Sequence, residues 1–117
     1  MLLLDTSVLI DLPHLTLPEG LATLSAITYA ELGLGIERAG SPAEQRQRIA
    51  RRTWYSEAFN SHWRPFDTAA ADGYAHIAAI VAASRPAHAR SKDTMIAGHA
   101  YALGASLVTL NPKDFAL

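Results

Sequence analysis

The sequence predicts an α/β sandwich built on a mainly parallel sheet, and two observations carry that expectation. Short apolar runs of strand length (residues 2–4, 21–27 and 105–110) recur between longer stretches with helical periodicity and recognisable caps. Their order is strand, helix, strand, helices, strand, helix, helix, strand. Parallel strands need such helical crossovers, because each connection must bring the chain back to the same edge. At 117 residues and 50% hydrophobic, the chain suffices for one domain with a single core, taken as residues 1–117.

Each element has its own justification. Residues 2–4 form an apolar run closed by Asp5, and residues 8–12 form a short helix that Pro13 stops. Residues 21–27 are a second buried strand. Thr28 then opens a helix to about Ala39, with Thr28 and Glu31 at capping-box spacing and Gly40 as terminator. Pro42 suits the first turn of a helix over residues 43–59, in which Ile49, Trp54, Tyr55 and Phe59 are candidate buried positions. Residues 62–66 are a short strand, and Asp67 caps an Ala-rich helix with Tyr74, Ile77 and Val81 on one face. Beyond Pro86 and a basic loop from Arg85 to Arg90, Ser91 caps a helix over residues 92–103. Gly104 sits where a left-handed C-terminal cap belongs. Residues 105–110 are the last strand.

Composition excludes several function classes. There is no cysteine, hence no disulfide framework, thiolate metal site or Cys nucleophile. The N-terminus lacks a basic region and meets a charge at Asp5, so neither a signal peptide nor a membrane span is expected, and a soluble cytoplasmic protein is. The five histidines show no H-x-x-x-H or HExxH spacing, which argues against zinc. Ser7 has no G-x-S-x-G elbow, and neither a P-loop nor a G-x-G-x-x-G is present. The net charge of -1 hides a local concentration of arginines at Arg38, Arg46, Arg48, Arg51 and Arg52.

The acids carry the chemistry. Asp5 follows a strand, Glu31 lies in the first turn of the next predicted helix, and Asp93 lies in the first turn of a capped helix. Asp114 follows the last strand, with Asn111 closer still to its end. In an open parallel sheet, strand C-termini and helix N-termini share one edge, so these side chains are expected to converge there. Singly, each has a plainer use: Glu31 as a capping residue, Asp93 against the helix dipole, Asp5 in a turn. Jointly they point to a cation, because clustered carboxylates repel one another. Hard oxygen donors favour Mg²⁺ or Mn²⁺, and such ions suit phosphodiester hydrolysis by acidifying water and neutralising the leaving oxygen. Asp67 is expected to be a cap, Asp72 a surface residue, and His99 to pack or face solvent rather than bind metal.

At this point the residues resemble a known family, the VapC-type toxins of the PIN-domain superfamily. Leu-Leu-Leu-Asp5-Thr6-Ser7-Val-Leu-Ile is similar to the family's opening motif, and Ile-Thr-Tyr-Ala-Glu31-Leu-Gly-Leu-Gly to its second. Pro65-Phe66-Asp67 and the helix after it resemble the middle segment, Arg90-Ser91-Lys92-Asp93-Thr94-Met95-Ile96-Ala97 the third acidic motif, and residues 107–115 the closing one. The resemblance covers nearly the whole chain in order. It implies a PIN-like α/β/α sandwich and a divalent-metal-dependent endoribonuclease with Asp5, Glu31, Asp93 and Asp114 as the metal-binding and catalytic set. Asn111 assists, and Thr6 or Ser7 supports the first Asp through a hydroxyl. It also implies a homodimer and inhibition by a VapB-type antitoxin whose C-terminal segment occupies the active-site groove. The chain departs from the family at Leu110, where Arg is common, and stops at Leu117 where relatives continue for another short strand.

For the RNA substrate, Arg46, Arg48, Arg51, Arg52, Arg85 and Arg90 are the candidate phosphate contacts. Two other readings compete: a PIN-like module that binds antitoxin or RNA and cleaves little, and a phospho-accepting receiver domain. The receiver requires an acidic pair near the first strand, and Asp5 has no acidic neighbour.

Overall fold

The computed structural model describes residues 1–16, 19–60 and 63–112. Strands β1 (Leu2–Leu4), β2 (Ala22–Ser25), β3 (Trp63–Arg64) and β4 (Ser106–Val108) form one sheet in the order β3-β2-β1-β4. Every pairing is parallel. Between the strands run α1 (Thr6–Ile10), α2 (Ala26–Glu37), α3 (Pro42–Ala58), α4 (Thr68–Ser84) and α5 (Lys92–Leu103). The predicted α/β/α layering and parallel sheet are therefore observed.

The alternation along β1 divides the core in two. Leu2 and Leu4 face one side, where they join Val8 and Leu9 of α1, Leu24 of β2 and Tyr55 of α3. Leu3 faces the other, against Ile96 and Ala100 of α5. Leu3, Leu4, Leu9 and Leu24 are wholly buried, each contributing about 1.5–3 kcal/mol by leaving water. Tyr55 fastens α3 to α1 by donating its hydroxyl to the Leu9 carbonyl at 2.9 Å.

Caps place most helix starts as expected. The Asp67 carboxylate accepts from Ala70 N at 2.9 Å, and the Ser91 hydroxyl from Thr94 N at 3.2 Å. Gly104 closes α5 in the left-handed conformation with φ of 65°. Helix α2 departs from expectation. It begins at Ala26, capped by the Ser25 hydroxyl, which accepts from Ile27 N at 3.0 Å. Thr28 is thus inside the helix rather than at its cap, and Glu31 lies in the second turn. The buried Thr28 hydroxyl has no hydrogen-bond partner among the described residues. Ile49 and Trp54, expected to be buried, are 43% and 54% exposed, because α3 meets the core through Tyr55 alone among its fully buried positions.

Helices α4 and α5 pack with their backbones nearly touching. A Cβ built on Gly73 would stand 2.3 Å from the Gly98 carbonyl oxygen, and one on Gly98 would stand 2.3 Å from Tyr74 Cα. Only glycine fits at either position. Among the described residues no helix is long and apolar enough to cross a membrane.

Candidate active site

The site begins at the end of β1. Asp5 is the N-cap residue of α1, yet its side chain makes no capping hydrogen bond. Its backbone does the structural work: Asp5 N donates to the Val108 carbonyl at 2.9 Å, and its own carbonyl accepts from Val8 N and Leu9 N. The carboxylate is left to other partners. Its Oδ2 accepts from the Ser7 hydroxyl at 3.0 Å and from the Thr109 hydroxyl at 2.9 Å. Both donors are themselves braced, Ser7 Oγ by Leu110 N at 3.1 Å and Thr109 Oγ1 by Asn111 N at 3.0 Å. Asp5 is only 7% exposed, so these charge-assisted bonds fix its orientation in a shielded setting.

Glu31 comes from the second turn of α2, half-buried, and its Oε1 accepts from the Thr6 hydroxyl at 3.1 Å. Burial pushes its carboxyl above the usual carboxylate range. The Thr6 hydrogen bond and the Lys92 ammonium oppose that rise, while the negative charges of Asp5 and Asp93 add to it. Asp93 stands in the first turn of α5, behind the Ser91 cap. Asp5, Glu31 and Asp93 therefore share one electrostatic neighbourhood, with Lys92 as a positive neighbour. Asp114 lies outside the described residues.

The helices bearing Glu31 and Asp93 are tied at depth. Ser25, the cap of α2, and His99 of α5 form a buried hydrogen bond of 2.8 Å between Oγ and Nδ1, and Phe66 packs edge-on against the imidazole. Burial keeps His99 below the usual histidine range. Of the two placements expected for it, packing and solvent exposure, His99 takes the first.

Sequence reasoning offered Thr6 or Ser7 as the hydroxyl support of Asp5; in the structure Ser7 holds Asp5 and Thr6 holds Glu31. It missed Thr109 and Lys92. The signal for Thr109 was present, since β4 lies beside β1 with Leu4 opposite Val108, which puts the next residues, Asp5 and Thr109, side by side. Asn111 enters through its backbone N–H, with its side chain exposed.

The arginines separate into engaged and accessible. Arg48 bonds the Gly35 carbonyl and pairs with Glu44. Arg52 lies over the Tyr29 ring, 4.2 Å from its centroid. Arg85 bonds His88 Nε2 at 3.0 Å. Arg46 and Arg90 are exposed. Arg51 and Arg48 line a cavity of about 310 Å³ together with Thr6, Ile10, Leu32, Gly35 and Glu31, so α3 brings positive charge to the acidic site.

Three carboxylates with neutral hydroxyl supports and no thiolate suit a hard divalent cation. Among the described residues, however, no three acidic or histidine side chains stand close enough to enclose one ion.

Comparison with known proteins gives a consistent picture. A family model described as PIN domain matches residues 2–116. Among solved structures, a member of the VapBC family of toxin–antitoxin systems, VapBC-5 from Mycobacterium tuberculosis, is similar at 28% identity and a TM-score of 0.68. That match covers 92% of this chain and 82% of the other. FitAcB from Neisseria gonorrhoeae is similar at 26% identity and a TM-score of 0.73, over 98% of this chain and 91% of the other. A search of curated proteins finds no match.

Proposed function

The chain belongs to the PIN domain family, a family of nucleases, and from that premise we propose that it is a Mg²⁺- or Mn²⁺-dependent endoribonuclease acting as the toxin of a toxin–antitoxin pair. The observation that carries the reading is the shared neighbourhood of Asp5, Glu31 and Asp93, in which burial and mutual repulsion hold the Glu31 carboxyl above its ordinary range. Carboxylates held together at that electrostatic cost fit a dication. Asp5, Glu31 and Asp93, joined by Asp114, would hold it. When bound, such an ion supplies Lewis-acid stabilisation of the reacting phosphate and acidifies a coordinated water.

The chain's own residues do the rest. Ser7 and Thr109 aim the Asp5 carboxylate, Thr6 aims Glu31, and Lys92 offsets the excess negative charge. Arg51, across the cavity from Glu31, offers a cation to the RNA backbone. Similarity to VapBC-5 supports an antitoxin as partner. A homodimer and a cytoplasmic setting complete the proposal.

One observation favours a second reading, a PIN-like module that binds antitoxin or RNA and cuts weakly: the described acids do not close around a single ion. One experiment separates the two. Purified protein is incubated with a panel of labelled RNAs in Mg²⁺ or Mn²⁺ and in chelator, beside Asp93→Asn. Discrete metal-dependent cuts, lost by at least 100-fold in a variant that keeps its circular dichroism spectrum, support the nuclease; a loss of that size is about 2.7 kcal/mol of transition-state stabilisation. Equal cleavage by the folded variant sinks it.

A further inference from the structure

Two arginines of α3, Arg48 and Arg51, line the cavity that holds Glu31, and they are not equivalent. Arg48 is engaged by Glu44 and the Gly35 carbonyl, and Arg52 lies on Tyr29. Arg51 makes no hydrogen bond or ion pair among the described residues and is exposed. It also lines two adjoining cavities. The first, shared with Ile10, is the one that contains Glu31. The second, of about 280 Å³, is formed by Ile10, Arg51, Trp54 and Tyr55. Ile10 and Arg51 are thus the common wall between the acidic site and a mostly apolar recess edged by an indole.

Trp54 is 54% exposed, and its ring meets Tyr55 edge-on at 5.7 Å between centroids. An edge-on neighbour leaves the indole without a stacked ring, and Tyr55 is fixed by its own bond to Leu9. An exposed tryptophan one helical turn from an unengaged arginine is the pairing that single-stranded nucleic acids use. The aromatic face takes a base and the cation takes a phosphate.

We propose that the Ile10–Arg51–Trp54 recess is a nucleotide subsite: Trp54 stacks on an unpaired RNA base while Arg51 holds the phosphate between that base and the one at the acidic cluster. The inference rests on the nuclease reading, since it takes the scissile phosphate to lie beside Glu31. A strand cut there continues over the adjoining surface, and this recess is the adjoining surface. RNA is favoured over a peptide because the recess combines one cation with one aromatic face beside the cavity that Glu31 lines. A dication held by the site's acids would favour a phosphate oxygen as a further ligand. Stacking tolerates any base, so the subsite supplies affinity and register rather than a sequence code.

The test uses the full chain in chelator, so that RNA is bound without being cut. The probe is a fluorescein-labelled single-stranded RNA dodecamer of mixed sequence. Binding is read by anisotropy, and stacking by quenching of tryptophan emission. Trp54→Ala should weaken binding about 5- to 100-fold and remove most of the quenching, whereas Trp54→Phe should keep most of the affinity. Arg51→Gln should weaken binding and reduce the slope of log affinity against log salt by about 0.7. Unchanged affinity in folded Trp54→Ala overturns the subsite. If wild-type protein still cuts RNA in Mg²⁺, the nuclease reading survives that failure; if it neither binds nor cuts, both fall. A Trp54→Ala protein that binds RNA normally but no longer co-purifies with a co-expressed antitoxin assigns the recess to protein and likewise overturns the proposal.

Discussion

At Asp5 one carboxylate oxygen takes two hydroxyl hydrogen bonds, from residues 2 and 104 positions away. Hydrogen bonds to a charged group contribute about 1.5–3 kcal/mol each when shielded. Thr109→Val should therefore lower stability in urea by about that amount and weaken Mg²⁺ binding by calorimetry about 10- to 100-fold. Glu31 gives a pH prediction. Its folded-state pKa is raised above the ordinary value of 4.5. The folded protein thus holds that proton more tightly than the unfolded chain. The resulting stabilisation is complete below the ordinary value and is lost as pH rises through the raised one. Glu31→Gln should melt above wild type at neutral pH, and the difference should close on acidification below 4.5. Thr28→Val should gain about 1 kcal/mol in the same melts, because it removes a buried hydroxyl that has no partner among the described residues. At this scale the positions of Asp5 and Asp93 were legible in the sequence, since an acid that ends an apolar strand or opens a capped helix lies at one edge of a parallel sheet. The contact of Arg52 with Tyr29 and the bond of Arg48 to the Gly35 carbonyl were not, because each depends on what a neighbouring helix places opposite.

Elements were legible wherever the signal was local. Asp67, Ser91 and Gly104 marked their helix ends correctly, because cap bonds and a left-handed glycine act within a few residues. The start of α2 was not. Thr28 and Glu31 satisfied the capping-box spacing, but Ser25 took the cap, and its hydroxyl also bonds His99, 74 residues on. The exposure of Ile49 and Trp54 was likewise hidden, since helical spacing shows which residues share a face but not which face meets the core. The contact of α4 with α5 yields a sharp test. Alanine elsewhere in a helix outperforms glycine by about 1 kcal/mol. Gly98→Ala should instead destabilise by about 1–3 kcal/mol or more in urea unfolding, because its Cβ would meet the Tyr74 backbone.

Across the molecule, the strand order β3-β2-β1-β4 makes the chain step one way from β1 through β2 and β3, then return to the far side of β1. Such a reversal opens a crevice at the strand C-termini. Asp5 and Thr109 stand at it. The sequence showed the alternation of strands and helices but not their order, which depends on pairings between distant segments. A dication bound there should act on the whole fold. Mg²⁺ at 100 times its dissociation constant should stabilise by about 2.7 kcal/mol, read as a higher melting temperature that chelator reverses and Asp93→Asn largely lacks.

The bond from Thr109 to Asp5 joins nearly opposite ends of the described chain. Domains emerge from the ribosome N-terminus first. The opening acid is therefore made early and waits without its clamp until the last strand follows. β4 pairs with the edge of β1 opposite the one that β2 takes. The Asp5 carboxylate is therefore fully braced only once the segment bearing Thr109, 104 residues further along the chain, has folded against it.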